Sequence, residues 1–254
     1  MSRADWIFRP ILWFTTAWTI HVILHETAHA LMALALGVPS TLYQYWVDWP
    51  DGAATLRQEA IIRTWGPVFS LIAGLAFLLL YRAKSRTAAG LPLLYLSAIG
   101  VAMFFGNLMS AAFVGDFSGV SRYLDLSMPA RYALSAAGVV GVAAVMFWLG
   151  RQLRLWIPDK SGRVFGVIAV VVLPVAIGIA VVILINQPLP ASLNFPTARI
   201  TEQSFHVFTV LGAATGARPS AAGRSFRLRW IDGTIFIACV LAVRFMTLGI
   251  HLMP

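Results

Sequence analysis

Apolar residues fill long runs of this chain, and polar positions gather in the gaps between them. Runs near 11–36, 61–81, 91–114, 132–149, 164–185 and 234–250 are each long enough to cross a bilayer as a helix, which takes roughly 17 to 25 residues. A segment in hydrocarbon must satisfy its own backbone groups, so this pattern predicts an all-α polytopic membrane protein with six transmembrane helices. Gly66-Pro67 and Pro174 interrupt two runs, which membrane helices tolerate where neighbouring groups take up the freed backbone. With no charged linker, low-complexity tract or internal repeat, 1–254 reads as a single membrane domain. Two polar insertions stand out. The first, 37–59, carries Tyr43, Tyr45, Trp46 and Trp49, a pattern that reads first as an aromatic belt at headgroup level. The second is 186–229, in which 205–216 has the character of a re-entrant or interfacial piece.

Composition strengthens the membrane reading, since 59% of residues are hydrophobic and 11% charged. The net charge of +9 comes from short clusters such as Arg82-Lys84-Arg86 and Arg151-Arg154-Lys160-Arg163. Such clusters suit anionic lipid headgroups and exclude a basic, aromatic-interleaved nucleic-acid surface. Cys239 is the single cysteine, so no intrachain disulfide forms. The first run follows Arg3 and Arg9 and contains Ala28-His29-Ala30 at signal-cleavage spacing, but it is too long for the apolar core of a signal and is expected to be retained. Six crossings place the N-terminus on the same side as the loops after the second and fourth spans, which points to a cytoplasmic N-terminus in a bacterial-type cell membrane. Basic residues within 186–229, on the opposite side in this scheme, blur that asymmetry.

Inside the first run the sequence reads His25-Glu26-Thr27-Ala28-His29. Positions four apart share a helix face, so both imidazoles can reach one zinc ion, with Glu26 beside it as general base. Ionisable groups at bilayer depth are costly and mark functional interiors, which sets this trio apart from ordinary buried histidines. A catalytic zinc takes a third protein ligand. Met32 and Ala35 stand where an extended motif would place Gly and a third His, so the ligand lies elsewhere. Asp116, at the close of the third run, is the first candidate; Asp232, in Asp232-Gly233, is its rival, and Glu59 a weaker one. His21 continues the histidine stripe one turn earlier and suits a polar role within the bundle, while His206 and His251 fall in a loop and at a terminus. Arg244, within the sixth run, is expected to snorkel or to pair with an acid.

Over 11–123 these residues resemble the site-2 protease family of intramembrane zinc metalloproteases. That family carries His-Glu-x-x-His on a first core helix, often a Gly-Pro step on a second, and Asn-x-x-Pro then Asp-Gly on a third. This chain has His25 to His29, Gly66-Pro67, then Asn107 and Asp116 in the same order. It lacks the proline between Asn107 and Asp116, and its glycine, Gly115, precedes the aspartate instead of following it. The resemblance implies a three-helix catalytic core in 11–123, with additional transmembrane helices and a long loop in 124–254. It also implies zinc held by His25, His29 and Asp116, with Glu26 as base and Asn107 holding substrate. The implied reaction is hydrolysis of peptide bonds in or near transmembrane segments of membrane-protein substrates. Such a substrate helix must unwind, and 37–59 is where a strand to receive it is expected. A non-proteolytic metal-binding protein or transporter, or a silent relative that binds helices without cutting them, is the competing class, although no paired broken helices in related halves are visible.

Overall fold

The computed structural model describes residues 3–157, 163–185, 187, 206–216 and 229–254. Helix α1 (Arg3–Ala35) carries the His-Glu-x-x-His motif and leads into a short hairpin, β1 (Ser40–Leu42) and β2 (Val47–Asp48). Gly37, at φ +72°, takes the turn out of α1. Helix α2 (Leu56–Lys84) starts at a capping box in which Thr55 and Gln58 satisfy each other's backbone N–H groups. The Gln58 side chain also donates to the Leu36 carbonyl at 3.0 Å, tying the start of α2 to the end of α1.

Helix α3 (Gly90–Met109) packs against both α2 and α5 (Met128–Arg154). Between α3 and α5 lie one 3-10 turn, Ser110–Ala112, and the short helix α4 (Asp116–Tyr123). Helix α6 (Arg163–Val167) continues through a π-helical stretch, Ile168–Val172, into α7 (Leu173–Ile185). Two shorter helices follow, α8 (His206–Thr215) and α9 (Trp230–Met246), and then β3 (Ile250–Leu252). Five helical segments are long and apolar enough to cross a membrane: Ile7–Ala35, Leu56–Lys84, Gly90–Ala112, Met128–Arg154 and Phe165–Ile185. The chain is thus a predominantly helical, multi-pass membrane protein.

The sequence pattern differs from this structure in three places. The expected sixth span at 234–250 is a helix of 17 residues, about 25 Å long, and its last residues belong to a strand. A small three-stranded sheet of order β2-β1-β3, with β3 antiparallel to β1 and Thr41 opposite His251, sits beside a chain that is otherwise all-α as expected; its third strand was not anticipated. The third apolar run, expected to continue to 114, breaks after Met109. Of the 186–229 insertion, only 187, 206–216 and 229 are described, and 205–216 holds the helix α8.

The bundle has a basal end, where α1 begins, and a hairpin end, where α1 finishes. Helix α9 starts at the basal end, where the Asp232 carboxylate accepts from Arg9 Nε at 3.1 Å and from Trp13 Nε1 at 2.9 Å. It finishes at the hairpin end, where Met246 packs with Ala30 and Leu42. Helix α8 begins at mid-depth, its His206 ring 5.5 Å from Phe14, and runs basally along α5 until Gly216 meets Arg154. Gly150 and Gly212 allow this approach, because a Cβ at either would overlap a backbone carbonyl of the other helix. The largest apolar cluster, with Phe14, Tyr95, Leu94, Leu153 and Trp156, fills the basal half and leaves the motif facing a cavity at the hairpin end.

Candidate metal centre

His25 and His29 project from α1 one turn apart, both buried, with ring centroids 4.7 Å apart and nearly perpendicular. Each ring is oriented by a partner on α2. His29 Nδ1 donates to the Ile62 carbonyl at 2.6 Å. Ser70 Oγ donates to the Gly66 carbonyl at 3.0 Å, which leaves its lone pair to accept from His25 Nδ1 at 3.1 Å. Both protons therefore sit on Nδ1, and both Nε2 atoms turn bare lone pairs toward the same point. Glycine at 66 lets the two helices come this close, since a Cβ there would overlap His29 Nε2.

Asp116 arrives from a different element. After α3 the chain makes its 3-10 turn and reaches Gly115 at φ +118°, a conformation that favours glycine. That turn puts Asp116 in the first position of α4 with its carboxylate toward α1. The glycine ahead of the aspartate thus has a definite conformational task in this chain. Helix α4 is held by Ser121 Oγ, which donates to the Ala111 carbonyl at 3.0 Å, and by Ser118 Oγ, which donates to that of Phe113 at 2.9 Å.

Asp116 Oδ2 lies 3.1 Å from His25 Nε2 and 3.4 Å from His29 Nε2, and the two Nε2 atoms are 3.1 Å apart. With both Nδ1 atoms engaged on α2, three lone pairs converge on one point, which a proton or a metal cation can occupy. Tetrahedral zinc with bonds of about 2.0–2.1 Å has ligand-to-ligand edges of about 3.3–3.4 Å, close to this triangle. Two neutral imidazoles and one carboxylate fit zinc in both chemistry and spacing, and among the described residues they form the single cluster of this kind.

A cavity of about 570 Å³ opens over the cluster, and Glu26, 9% exposed, lines it beside the two histidines. Asn107 also lines it, and its amide nitrogen donates to the Met103 carbonyl of its own helix at 3.0 Å. Tyr45, Trp46 and Trp49 form part of the wall, with Trp46 stacked on Tyr43 at 4.4 Å and the Arg63 guanidinium 5.7 Å from the Trp49 ring. This placement differs from a belt at headgroup level. Glu59 stands on the wall outside the cluster.

The rival ligand is excluded by position. Asp232 is buried at the basal end, where it also accepts from the Arg229 backbone N–H at 2.9 Å, with Arg9 and Trp13 as its other partners. His21 is sealed between α1 and α3, its Nε2 donating to the Leu96 carbonyl at 2.6 Å. His206, expected in a loop, is buried at the head of α8 and lines the cavity, while His251 sits in β3 with its Nδ1 3.0 Å from Thr41 Oγ1. Arg244 donates to the Gln187 carbonyl. Ser70 was open to detection as a serine within the apolar run of α2, but the Ile62 carbonyl and the task of Gly115 carry no side-chain signal. The chain matches no family model, no curated protein and no solved structure.

Proposed function

We propose that this protein is an intramembrane zinc metalloendopeptidase of site-2 protease type, hydrolysing peptide bonds in or near the transmembrane segments of membrane-protein substrates. The observation that carries the reading is the triangle of His25 Nε2, His29 Nε2 and Asp116 Oδ2, with both Nδ1 protons engaged on α2. Zinc held there would supply Lewis acidity toward a scissile carbonyl and toward water. Glu26, next to the triangle, takes a proton from water and hands it to the leaving amide nitrogen. The outer edge of β2 has no strand partner among the described residues, and Val47 and Asp48 line the cavity. An unwound substrate segment can pair along that edge and present its backbone to Glu26, with Asn107 on the facing wall. Dense apolar walls of α1, α3 and α5 keep bulk water from the rest of the groove.

Elemental analysis of detergent-purified protein tests this directly. About one zinc per chain is expected in the wild type and in Glu26→Gln, with loss in His25→Ala and Asp116→Ala. Cleavage of a transmembrane reporter should disappear in Glu26→Gln while its zinc stays. Well-folded wild type that takes up no zinc after supplementation overturns the proposal.

A further inference from the structure

The cavity does not end at the metal cluster. It continues basally along α1 to Trp18, seven residues and therefore about 10 Å from His25, into an arm lined also by Val22, Ile99, Val142, Met146 and His206. All six are buried, His206 to 7% exposure, and the polar atoms they bring are the Trp18 indole N–H and the His206 imidazole nitrogens. The His206 ring packs edge-on to Phe14, and its Nδ1 lies 3.4 Å from Thr209 Oγ1. Its Nε2 has no hydrogen-bond partner among the described residues. His206 lines the cavity, so this nitrogen is available to a polar group that enters it.

We infer that this arm is a recognition site for a tyrosine side chain near the scissile bond, with the phenol hydroxyl meeting His206 Nε2. The occupant being substrate rests on the peptidase reading; the chemistry of the arm does not. A phenol matches on each count. Its ring fills a space walled by Trp18, Ile99 and Met146, and its hydroxyl both donates and accepts, so it satisfies Nε2 in either tautomer. Phenylalanine or leucine would fill the arm but leave Nε2 unpaired. Serine or threonine would leave voids, and lysine or arginine would bury a charge with no acid among the arm's own residues. Sites built to bond a hydroxyl discriminate against the analogue that lacks it.

Two probes test the arm without any catalytic step: 4-fluorophenol and fluorobenzene, titrated by 19F NMR into the full-length protein in detergent, with empty micelles as reference. Wild type is expected to take up both, and to bind the phenol about fivefold more tightly once micelle partition is subtracted. His206→Leu should remove that preference and keep fluorobenzene binding, His206→Gln should restore part of it, and Met146→Trp should abolish both by filling the arm. A preference that survives His206→Leu, equal loss of both probes in that variant, binding that survives Met146→Trp, or no uptake by wild type each overturns the assignment. Zinc content measured on the same samples separates the readings. Wild type without zinc but with the phenol preference removes the peptidase and keeps the arm, whereas zinc without the preference does the reverse.

Discussion

Gly66 stands where α2 comes closest to His29, and a methyl group there would fall on the nitrogen that faces the metal position. Gly66→Ala is expected to abolish zinc uptake while the apolar cores stay folded, read by elemental analysis beside a thermal melt. Ser70→Ala leaves all three ligand atoms in place but frees the His25 ring to rotate or change tautomer. Loss of such an outer partner typically weakens metal binding 10- to 100-fold, so competition with a chelator should show a shift of that order. Asp116→Asn tests the charge itself, and it too should weaken zinc binding without unfolding α4, whose hydrogen bonds run through Ser118 and Ser121. At this scale the motif on α1 was fully legible, because its residues are local in sequence and their spacing follows from helix geometry. Asp116 was legible only as a candidate. Its approach to the histidines depends on the turn at Gly115, and no spacing rule anticipates a φ of +118°.

Among elements, α9 is fastened at both ends. At its start, Asp232 and Arg9 form a buried ion pair, with Arg9 Nη2 also donating to the Ala88 carbonyl at 2.6 Å. Removing one member strands the other in a low-dielectric interior, at a cost of about 3–5 kcal/mol. Asp232→Ala should therefore lower the melting temperature sharply, and the fraction that remains folded should keep its zinc. The apolar pair Arg9→Met with Asp232→Leu should recover much of that stability, which separates a stranded charge from a lost contact. An Asp-Gly pair looks like a ligand in sequence, and only the partners brought together by the fold give it another task. The hairpin was foreseen as a place for a strand, yet β3 was hidden. Its Ile250, His251 and Leu252 look like the close of an apolar helix until β1 offers them a pairing edge.

Across the whole molecule, the direction of each element carries a topology that apolar runs alone did not yield. Helix α7 ends at the hairpin end, where Arg244 of α9 reaches Gln187, whereas α8 starts at mid-depth and finishes basally. Gln187 therefore lies at one end of the bundle and Arg229 at the other. Among the described residues, Arg57, Arg63, Arg122, Arg131 and Arg244 stand toward the hairpin end, and Arg9, Arg82, Lys84, Arg86, Arg151, Arg154 and Arg229 toward the basal end. Most of the acids, including Asp48, Asp51 and Glu59, lie toward the hairpin end. The cytoplasmic N-terminus expected from the sequence would put the cavity mouth on the opposite face. Reporter fusions after Arg86 and at the C-terminus should accordingly give opposite signals, and a membrane-impermeant thiol reagent should label Asp51→Cys from outside in intact cells. Equal signals from the two fusions would contradict the arrangement. Six spans were expected where five helices are long and apolar enough to cross, because the apolar run at 234–250 folds into the end of a 17-residue helix and the start of a strand.

Strand β3 finally bears on the order in which the molecule is made. Thr41 meets His251 across 210 residues of chain, so the sheet that frames the cavity mouth gains its third strand only after all of the intervening chain has been synthesised. A ribosome-bound intermediate can already hold α1 to α4, and with them His25, His29 and Asp116, while its hairpin still lacks one edge. Assembly of the ligand set and completion of the entrance are thus separated in time, and the nascent protein passes through a stage with its centre built and its doorway unfinished.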